Sequence, residues 1–264
     1  VALIRGELPG FPLMVRVSAT EYCEGGYTEH DMIALARALE RAGVIAIDMS
    51  GGTNESPELS RYCIQPPSFA RRFLEPYARP IAKAVGIPTI MAGRVIDPED
   101  AEGILQAGSA DFVAVCRALV ADAWWPRKAF GEIKTPIRKC ISCNVCFERL
   151  TLERDVACVT NPMVGLEYER IESAEPQLRK SAAALSERKR ILVLGAGVAG
   201  VEAARVAAGL GHQVEIWEKA AKPGGQMPLA LAAPDKADVA GVWTYRWEQI
   251  ETLKVPVRTG VDAS

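Results

Sequence analysis

The sequence predicts an α/β protein built from parallel βα units, and three observations support this prediction. Over residues 11–131, four short apolar runs rich in β-branched residues alternate with amphipathic helical segments. Four cysteines then cluster at 140–158, and a second α/β segment with a glycine-rich turn begins at 190. The chain has 264 residues, a length that suits one large or two ordinary domains.

The apolar runs of residues 11–131 have the character of buried parallel strands. They lack strict alternation, as is typical of strands covered on both faces. Thr28 with Asp31 forms a capping-box pattern at one helix start, and Asp97-Pro98 marks another. Four such units make half of a (βα)8 TIM barrel. The runs are FPLMVRVS (11–18), GVIAIDMS (43–50), GIPTIMAG (86–93) and SADFVAVC (109–116).

Functional groups in a (βα)8 barrel lie at the C-terminal ends of the strands. We expect the residues at the ends of the predicted strands to lie along one edge of the sheet. They are Arg16, Ser50 to Gly52, Gly93, Arg94, Cys116 and Arg117. Each arginine has an alternative role as an ion pair at the barrel mouth, which the residues alone leave open.

The cysteine cluster has the spacing of a metal centre. Cys140, Cys143, Cys146 and Cys158 follow the pattern C-x2-C-x2-C-x11-C. A triplet of cysteines plus one distant cysteine is typical of a four-iron cluster, whereas structural zinc sites usually pair two C-x2-C knuckles. The pattern therefore favours an iron–sulfur cluster, with tetrahedral zinc and unliganded thiols as alternatives.

Residues 190–218 carry a dinucleotide fingerprint in its full context. A predicted strand leads into the turn Gly195-x-Gly197-x-x-Gly200, a helix follows, and a second strand ends in Glu218. The glycines let the backbone approach a pyrophosphate, which the N–H groups at the helix N-terminus attract. Glu218 would accept hydrogen bonds from the adenosine ribose. The alternative is a glycine-rich turn in an empty α/β fold.

Composition narrows the class of protein. A hydrophobic content of 49% and a charged content of 24% are ordinary for soluble globular proteins. The net charge of −2 suggests neither a nucleic-acid nor a membrane-surface partner, and no apolar run is long enough to span a bilayer. The start VALIRGELPG lacks a signal-peptide layout, and the cysteine usage favours a reducing compartment. We therefore expect a cytoplasmic protein.

These features predict four segments in chain order. A half barrel occupies 1–131, the cysteine segment 132–171, a polar linker of mixed charge 172–189, and the first part of a Rossmann-like nucleotide-binding domain 190–264.

The motifs together resemble the 2,4-dienoyl-CoA reductase and trimethylamine dehydrogenase family, the iron–sulfur flavoproteins related to Old Yellow Enzyme. The resemblance covers essentially the whole chain and implies the C-terminal half of the barrel with FMN at its mouth, a 4Fe–4S cluster, and FAD or ADP in the following domain. NAD(P)H would reduce the FAD, and electrons would pass through the cluster to FMN. The motifs are VRVSATEYCEGGYT, IDMSGG, IMAGRV, FVAVCRALVAD, WWPRKA, the cysteine cluster, NPMVG, the glycine fingerprint and PGGQ.

The resemblance also implies residue roles. Arg16 is similar to the arginine that faces the flavin pyrimidine, where its charge would stabilise the anionic reduced flavin. Gly93, Arg94 and Arg117 match the grip on the FMN phosphate. Cys116 stands where glycine is frequent, and we expect tolerance there because the backbone would bind. Gly224, Gly225 and Gln226 match a segment that packs against the nucleotide, or form only a turn.

Parts of the family pattern are missing. Only four of the eight barrel strands are present, and the tyrosine or histidine groups that bind substrate and donate a proton are expected upstream of residue 1, so we predict an interior fragment. His30 and His212 are predicted to be structural. Tyr22 and Cys23, just beyond the first strand, are the nearest candidates for lining a substrate pocket.

The resemblance implies an NAD(P)H-dependent oxidoreductase that reduces the activated C=C bond of a small molecule, such as an enoate, enone or dienoyl thioester. One alternative is an amine dehydrogenase of the same architecture that oxidises its substrate at FMN and passes electrons to a carrier protein. Another is a zinc-stabilised nucleotide-binding module without redox activity. The sequence leaves open the substrate, the choice between NADH and NADPH, and the oligomeric state.

Overall fold

The computed structural model describes residues 1–166 and 187–263. The chain divides into two compact units, Val1–Leu119 and Val120–Ser264, and each unit contains a parallel sheet. The predicted α/β class is therefore confirmed. The predicted linker at 172–189 lies outside the described residues except for its last three positions.

The first unit contains a four-stranded parallel sheet in the order β1-β2-β3-β4. Each of the four predicted runs contributes one strand, and the strands pair in chain order as neighbouring strands of a barrel do. The strands are β1 (Met14–Ser18), β2 (Ala46–Ser50), β3 (Thr89–Met91) and β4 (Phe112–Val113). The helices are α1 (Ala2–Glu7), α2 (Glu29–Arg41), α3 (Pro57–Cys63), α4 (Glu75–Ala82), α5 (Pro98–Gln106) and α6 (Arg117–Ala121).

Both predicted helix starts are capped as the sequence suggests. Thr28 accepts the N–H of Asp31, whose carboxylate accepts the N–H of Thr28 at 2.9 Å. Asp97 and Asp100 form the same reciprocal arrangement at the start of α5, with Pro98 at the first helical position. These contacts satisfy backbone donors that would otherwise lack partners, so local sequence fixes where α2 and α5 begin.

The helices cover one face of this sheet. Ile47, Met49 and Met91 are fully buried against residues of α2, α4 and α5. On the other face of the sheet, the side chains of Met14 and Phe112 are exposed. One face packed on helices and one face turned away is the arrangement of a barrel wall. Closure of the barrel stays a prediction.

The second unit contains a three-stranded parallel sheet in the order β5-β6-β7, with a core that includes Val201, Ala204, Ile216 and Ile250. Its strands are β5 (Arg190–Leu194), β6 (Gln213–Glu218) and β7 (Val257–Thr259). Its helices are α7 (Trp125–Ala129), α8 (Val145–Thr151), α9 (Val198–Gly209), α10 (Met227–Leu231), a 3-10 turn (Ala237–Ala240) and α11 (Gly241–Thr252). Among the described residues, no helix has the length and apolar character needed to cross a membrane.

Candidate functional site

The glycine fingerprint forms the expected turn between β5 and α9. Gly195 has a φ of +94°, a conformation that favours glycine. A Cβ at Gly200 would lie 2.0 Å from the carbonyl oxygen of Gly195, so the helix can approach the turn only without a side chain there. Gly197 is the N-cap of α9 and makes no side-chain cap bond. The N–H groups of the first turn are thus placed to bind an anion.

Glu218 braces this turn from the end of β6. Its Oε2 accepts the N–H of Ala196 at 2.7 Å, and its Oε1 accepts the N–H of Ala220 at 2.8 Å. Hydrogen bonds from the backbone of Ala220 and Ala196 lower the pKa of Glu218, so the carboxylate is ionised at neutral pH. A carboxylate has acceptor capacity beyond two hydrogen bonds, so the ribose contact stays a prediction compatible with the brace.

The PGGQ segment packs directly on the fingerprint turn. The N–H of Gly224 donates to the carbonyl of Ala196 at 2.9 Å. A Cβ at Gly225 would lie 2.9 Å from the Cα of Gly197, and Gly225 has a φ of +56°. Two glycine-rich segments therefore meet with no side chain between them. Gln226 is the N-cap of α10.

The cysteine segment is sharply turned at its triplet. Ser142 and Asn144 both have left-handed backbone conformations, with φ values of +53° and +61°. Such turns reverse the chain between the cysteines and have a conformational cost in residues other than glycine. Among the described residues, which include all seven cysteines of the chain, none forms a disulfide.

Two of the cysteine sulfurs have hydrogen-bonding neighbours that suit a thiolate. The N–H of Ser142 donates to Sγ of Cys140 at 3.3 Å, and Oγ1 of Thr160 lies 3.2 Å from Sγ of Cys158. This donor chemistry fits an iron–sulfur cluster. However, residues 1–166 and 187–263 contain no group of three or more His, Cys, Asp or Glu side chains in metal-binding proximity. The metal-ligand role of the four cysteines therefore stays a prediction.

Arg16 lies at the middle of β1 and forms an ion pair, whereas the sequence placed it at the strand end. Its Nε donates to Oδ2 of Asp48 at 2.8 Å, across the register pair that joins β1 and β2. The Arg16 side chain is 58% exposed and that of Asp48 13%. The ion-pair alternative is thus present in the structure, and the flavin role of Arg16 stays a prediction.

The residues after β3 and β4 lie at the carboxyl ends of neighbouring strands. Gly93 has a φ of +118°, and a Cβ there would lie 3.2 Å from Cβ of Leu74. Arg94 is buried and has a φ of +51°. Nη1 of Arg117 donates a hydrogen bond to the carbonyl of Gln65 at 2.8 Å. Cys116, beside it, is exposed. The phosphate role of these residues stays a prediction.

Tyr22 belongs to a cluster of five aromatic rings. It has a φ of +59° and stacks on Tyr62 with the ring centroids 4.4 Å apart. Its buried hydroxyl has no hydrogen-bond partner within the described residues. Burial, with neighbouring Tyr77, Tyr62 and Glu29, raises the pKa of Tyr22, so the hydroxyl stays protonated at neutral pH. The cluster comprises Tyr22, Tyr62, Phe69, Phe73 and Tyr77.

The two histidines show no catalytic arrangement. His30 lies exposed in the first turn of α2. His212 accepts the N–H of Lys189 on Nδ1 at 3.2 Å, which ties the turn before β6 to the start of β5. His212 thus makes a structural contact, and the structural role of His30 stays a prediction.

Sequence and structural comparisons extend over nearly the whole chain. An NADH oxidase from Thermoanaerobacter brockii is 39% identical over 264 residues, which is 96% of this chain and 37% of the relative. A cinnamate reductase from Clostridium sporogenes is 33% identical over 271 residues, 96% of this chain and 38% of the relative. The solved complex of 2-naphthoyl-CoA reductase with 2-naphthoyl-CoA matches with a TM-score of 0.86 at 30% identity, over 99% of this chain and 38% of that chain.

The match of both sequence and fold over this length decides the family. The chain belongs to the Old Yellow Enzyme-like iron–sulfur flavoprotein family. It spans a little over a third of the length of these relatives. A family model of the alanine dehydrogenase/PNT C-terminal domain also matches residues 173–232, around the fingerprint turn.

Residues of this chain fit two of the cofactors that this flavoprotein family implies. A side chain on Gly225 would collide with Gly197, and this close backbone approach lies beside the N-terminus of α9. A pyrophosphate requires this combination of close backbone approach and exposed N–H groups. The thiols of the cysteine segment supply the donor set of a four-iron cluster.

Sequence reasoning missed a buried polar network in the second unit. Lys128 and Asp122 form an ion pair at 2.7 Å with both side chains at most 3% exposed. Arg138 donates to Asn161 and to the hydroxyl of Tyr245, and its guanidinium lies 4.6 Å from the Tyr245 ring centroid. The NPMVG motif was the one signal of this network, because it contains Asn161.

Proposed function

We propose that the protein containing this chain is an NAD(P)H-dependent flavin oxidoreductase that reduces an activated C=C bond. In this proposal, FAD or ADP occupies the fingerprint turn, a 4Fe–4S cluster the cysteine segment, and FMN the carboxyl edge of the first sheet. When bound, the flavins and the cluster would carry electrons from NAD(P)H to the substrate. The names of the relatives, an NADH oxidase and a cinnamate reductase, support this choice of reaction.

One observation carries the proposal: the cysteine segment and the nucleotide-binding fold belong to the same compact unit. Buried contacts join them, including Arg138 to Tyr245 and Arg246 to the carbonyl of Thr160. A protein that passes electrons between two cofactors must hold both at a fixed separation, and a shared buried network does so.

The residues of the chain would each contribute to binding or charge. Backbone N–H groups of the turn Gly195–Gly200 would bind the pyrophosphate, while Glu218 holds the turn and accepts from the ribose. Arg94 and Arg117 would bind the FMN phosphate. Arg16 would place positive charge beside the flavin pyrimidine, where negative charge develops on reduction.

The test uses the holoprotein, purified without oxygen. We expect FMN, FAD or ADP, and about four iron and four acid-labile sulfide atoms per chain, as cysteine-ligated cubes contain. NADH or NADPH should be consumed on addition of cinnamate, measured by the loss of nicotinamide absorbance. One tightly bound zinc without sulfide would contradict the cluster. Flavin reduction by a tertiary amine, but not by NADH or NADPH, would favour the amine dehydrogenase alternative instead.

A further inference from the structure

Arg246 connects the nucleotide-binding helix to the cysteine segment. It lies on α11 with 6% of its side chain exposed, and its Nε is 2.9 Å from Oε2 of Glu202 on α9. At this distance the two side chains form an ion pair. Nη2 donates to the carbonyl of Thr160 at 3.3 Å, and Nη1 donates to the carbonyl of Val242 at 2.6 Å. All three nitrogens of one guanidinium thus have fixed directions.

Thr160 extends this connection to a cysteine. It is 1% exposed, and its Oγ1 lies 3.2 Å from Sγ of Cys158. A continuous path of direct contacts therefore runs from Glu202 on α9, through Arg246 and Thr160, to Cys158. Arg246 and Thr160 in the middle of this path are both buried, so the charge of Arg246 is weakly screened there.

Positive charge exceeds negative charge around Glu202. Arg205 also binds Glu202, at 2.8 Å, so two buried guanidinium groups share one carboxylate. Burial lowers the pKa of Arg246, Glu202 opposes that effect, and the like charges of Arg138 and Arg205 add to it. A buried cation in excess of the nearby anions is costly, unless a further anionic group lies close. An iron–sulfur cube with four thiolate ligands carries net negative charge, and nearby charge and hydrogen bonds set its potential.

We propose that Arg246 is a positioning residue for the iron–sulfur cluster, which holds the Cys158 loop against the nucleotide-binding helix and whose buried charge raises the midpoint potential of the cluster. This inference rests on the proposed function, because it requires a cluster at the four cysteines. It assigns a role in tuning electron transfer to a residue with no metal-binding or nucleotide-binding pattern of its own.

The experiment is an anaerobic redox titration of the holoprotein with dithionite and mediators, in which the reduced cluster is followed by electron paramagnetic resonance. Arg246→Met removes the charge and keeps much of the volume, and Arg246→Lys keeps the charge but loses the planar fork. Arg205→Met is the matched control, since it removes a buried cation from the same carboxylate, and the hydrogen bonds of Arg205 in the described part of the chain go to Glu202.

At the midpoint potential of the parent protein, we expect the ratio of reduced to oxidised cluster to fall about tenfold in Arg246→Met. This is the scale for loss of a unit charge acting across about 10 Å of protein. The ratio in Arg246→Lys should fall by less than in Arg246→Met, because the charge is kept, and the ratio in Arg205→Met should also fall by less than in Arg246→Met. A ratio within twofold of the parent value in an iron-loaded Arg246→Met protein would overturn the proposal. An equal fall in Arg205→Met would also overturn it.

If Arg246→Met loses its iron, its cluster cannot be titrated, and the titration of Arg246→Lys tests the proposal instead. Retained iron with a ratio within about threefold of the parent value would support the charge role, because Arg246→Lys preserves the cation. Retained iron with a fall of tenfold or more, or loss of iron from this variant as well, would overturn it. Failure of the proposed function is distinguishable from each of these results, since the parent protein would then contain no iron or sulfide.

Discussion

At the residue scale, Arg16 makes an ion pair with Asp48 and is predicted to contact the flavin as well. It gives its Nε–H to Asp48, so the ion pair does not require its terminal nitrogens. Oδ1 of Asp48 is buried and has no hydrogen-bond partner within the described residues. A planar guanidinium can bind a carboxylate on one edge and a second acceptor on another. The ion pair can therefore orient Arg16 toward a flavin.

Arg16→Met should slow reduction of the acceptor in the holoprotein by an amount that corresponds to about 2–4 kcal/mol of lost charge stabilisation. Arg16→Lys keeps the charge and should retain FMN, with a smaller loss of rate. The measurements are stopped-flow reoxidation by cinnamate and the FMN potential. Asp48→Asn is the control, because the amide oxygen can still accept from Nε. Normal FMN binding and the parental rate in Arg16→Met would leave Arg16 with the ion-pair role alone.

Glu218 is the second residue with a double role, and Glu218→Ala should weaken FAD or ADP retention while FMN stays bound. The substitution leaves the buried N–H of Ala196 without its acceptor, at a cost of about 1–3 kcal/mol. Flavin content after gel filtration, measured separately for FMN and FAD, checks this result. Equal loss of both flavins would instead indicate general unfolding.

At the scale of elements, the fingerprint turn and the PGGQ segment pack directly on each other, because Gly225 contacts Gly197 with no side chain between them. Gly200→Ala would place a methyl group 2.0 Å from the carbonyl oxygen of Gly195, and Gly225→Ala one 2.9 Å from Gly197. Both substitutions should displace the turn and lower affinity for ADP at least tenfold, measured by calorimetry. Gly6→Ala is the control, since nothing lies within 4 Å of a Cβ there and alanine favours helix α1. Unchanged ADP affinity in Gly200→Ala would refute the close-approach argument.

The cysteine segment is the other functional element. Substitution of its four cysteines should release the iron, whereas substitution of Cys116 should not. Cys146→Ser replaces a predicted thiolate ligand by a hydroxyl, a much poorer ligand for iron, and should release iron and sulfide. Cys116→Ser should retain both, and FMN as well, because only backbone binding is predicted there. Iron, sulfide and flavin assays of the two holoproteins make the comparison. Full iron content in Cys146→Ser would remove that residue from the ligand set.

At the scale of the whole molecule, each unit contains a carboxylate with a lowered pKa beside arginines. Burial opposes ionisation of Glu202, but the hydrogen bond and charge of Arg205 and the charges of Arg246 and Arg138 hold its pKa below the usual range. Glu75 in the first unit behaves likewise: burial opposes its ionisation, while Ser109, Arg79 and Arg72 lower its pKa. A carboxyl group with a lowered pKa stabilises the folded state above its unfolded pKa of about 4.3, and that contribution is lost as pH falls through the folded pKa.

Glu202→Gln should therefore lower the free energy of unfolding at pH 7, by up to about 3 kcal/mol for a broken, partly buried ion pair, and weaken its dependence on pH below about 4.3. Urea unfolding between pH 3 and pH 7 measures both effects. Glu55→Gln, on an exposed carboxylate, is the control. An acid response in Glu202→Gln as steep as that of the parent protein would show that other groups govern acid unfolding.

Local patterns in the sequence determined the class of the fold, the capped starts of α2 and α5, the four strands of the first sheet and the βαβ unit around Gly195. Each depends on residues a few positions apart, whose preferences act wherever the chain lies. Tertiary structure alone decided that Arg16 pairs with Asp48, that Gly225 meets Gly197, and that Arg138 reaches Tyr245, 107 residues away. No sequence pattern indicates a role for Arg246, since that role depends on its buried contacts with Glu202 and Thr160, which are distant in sequence. Packing of distant elements creates such sites, and periodicity and spacing carry no information about it.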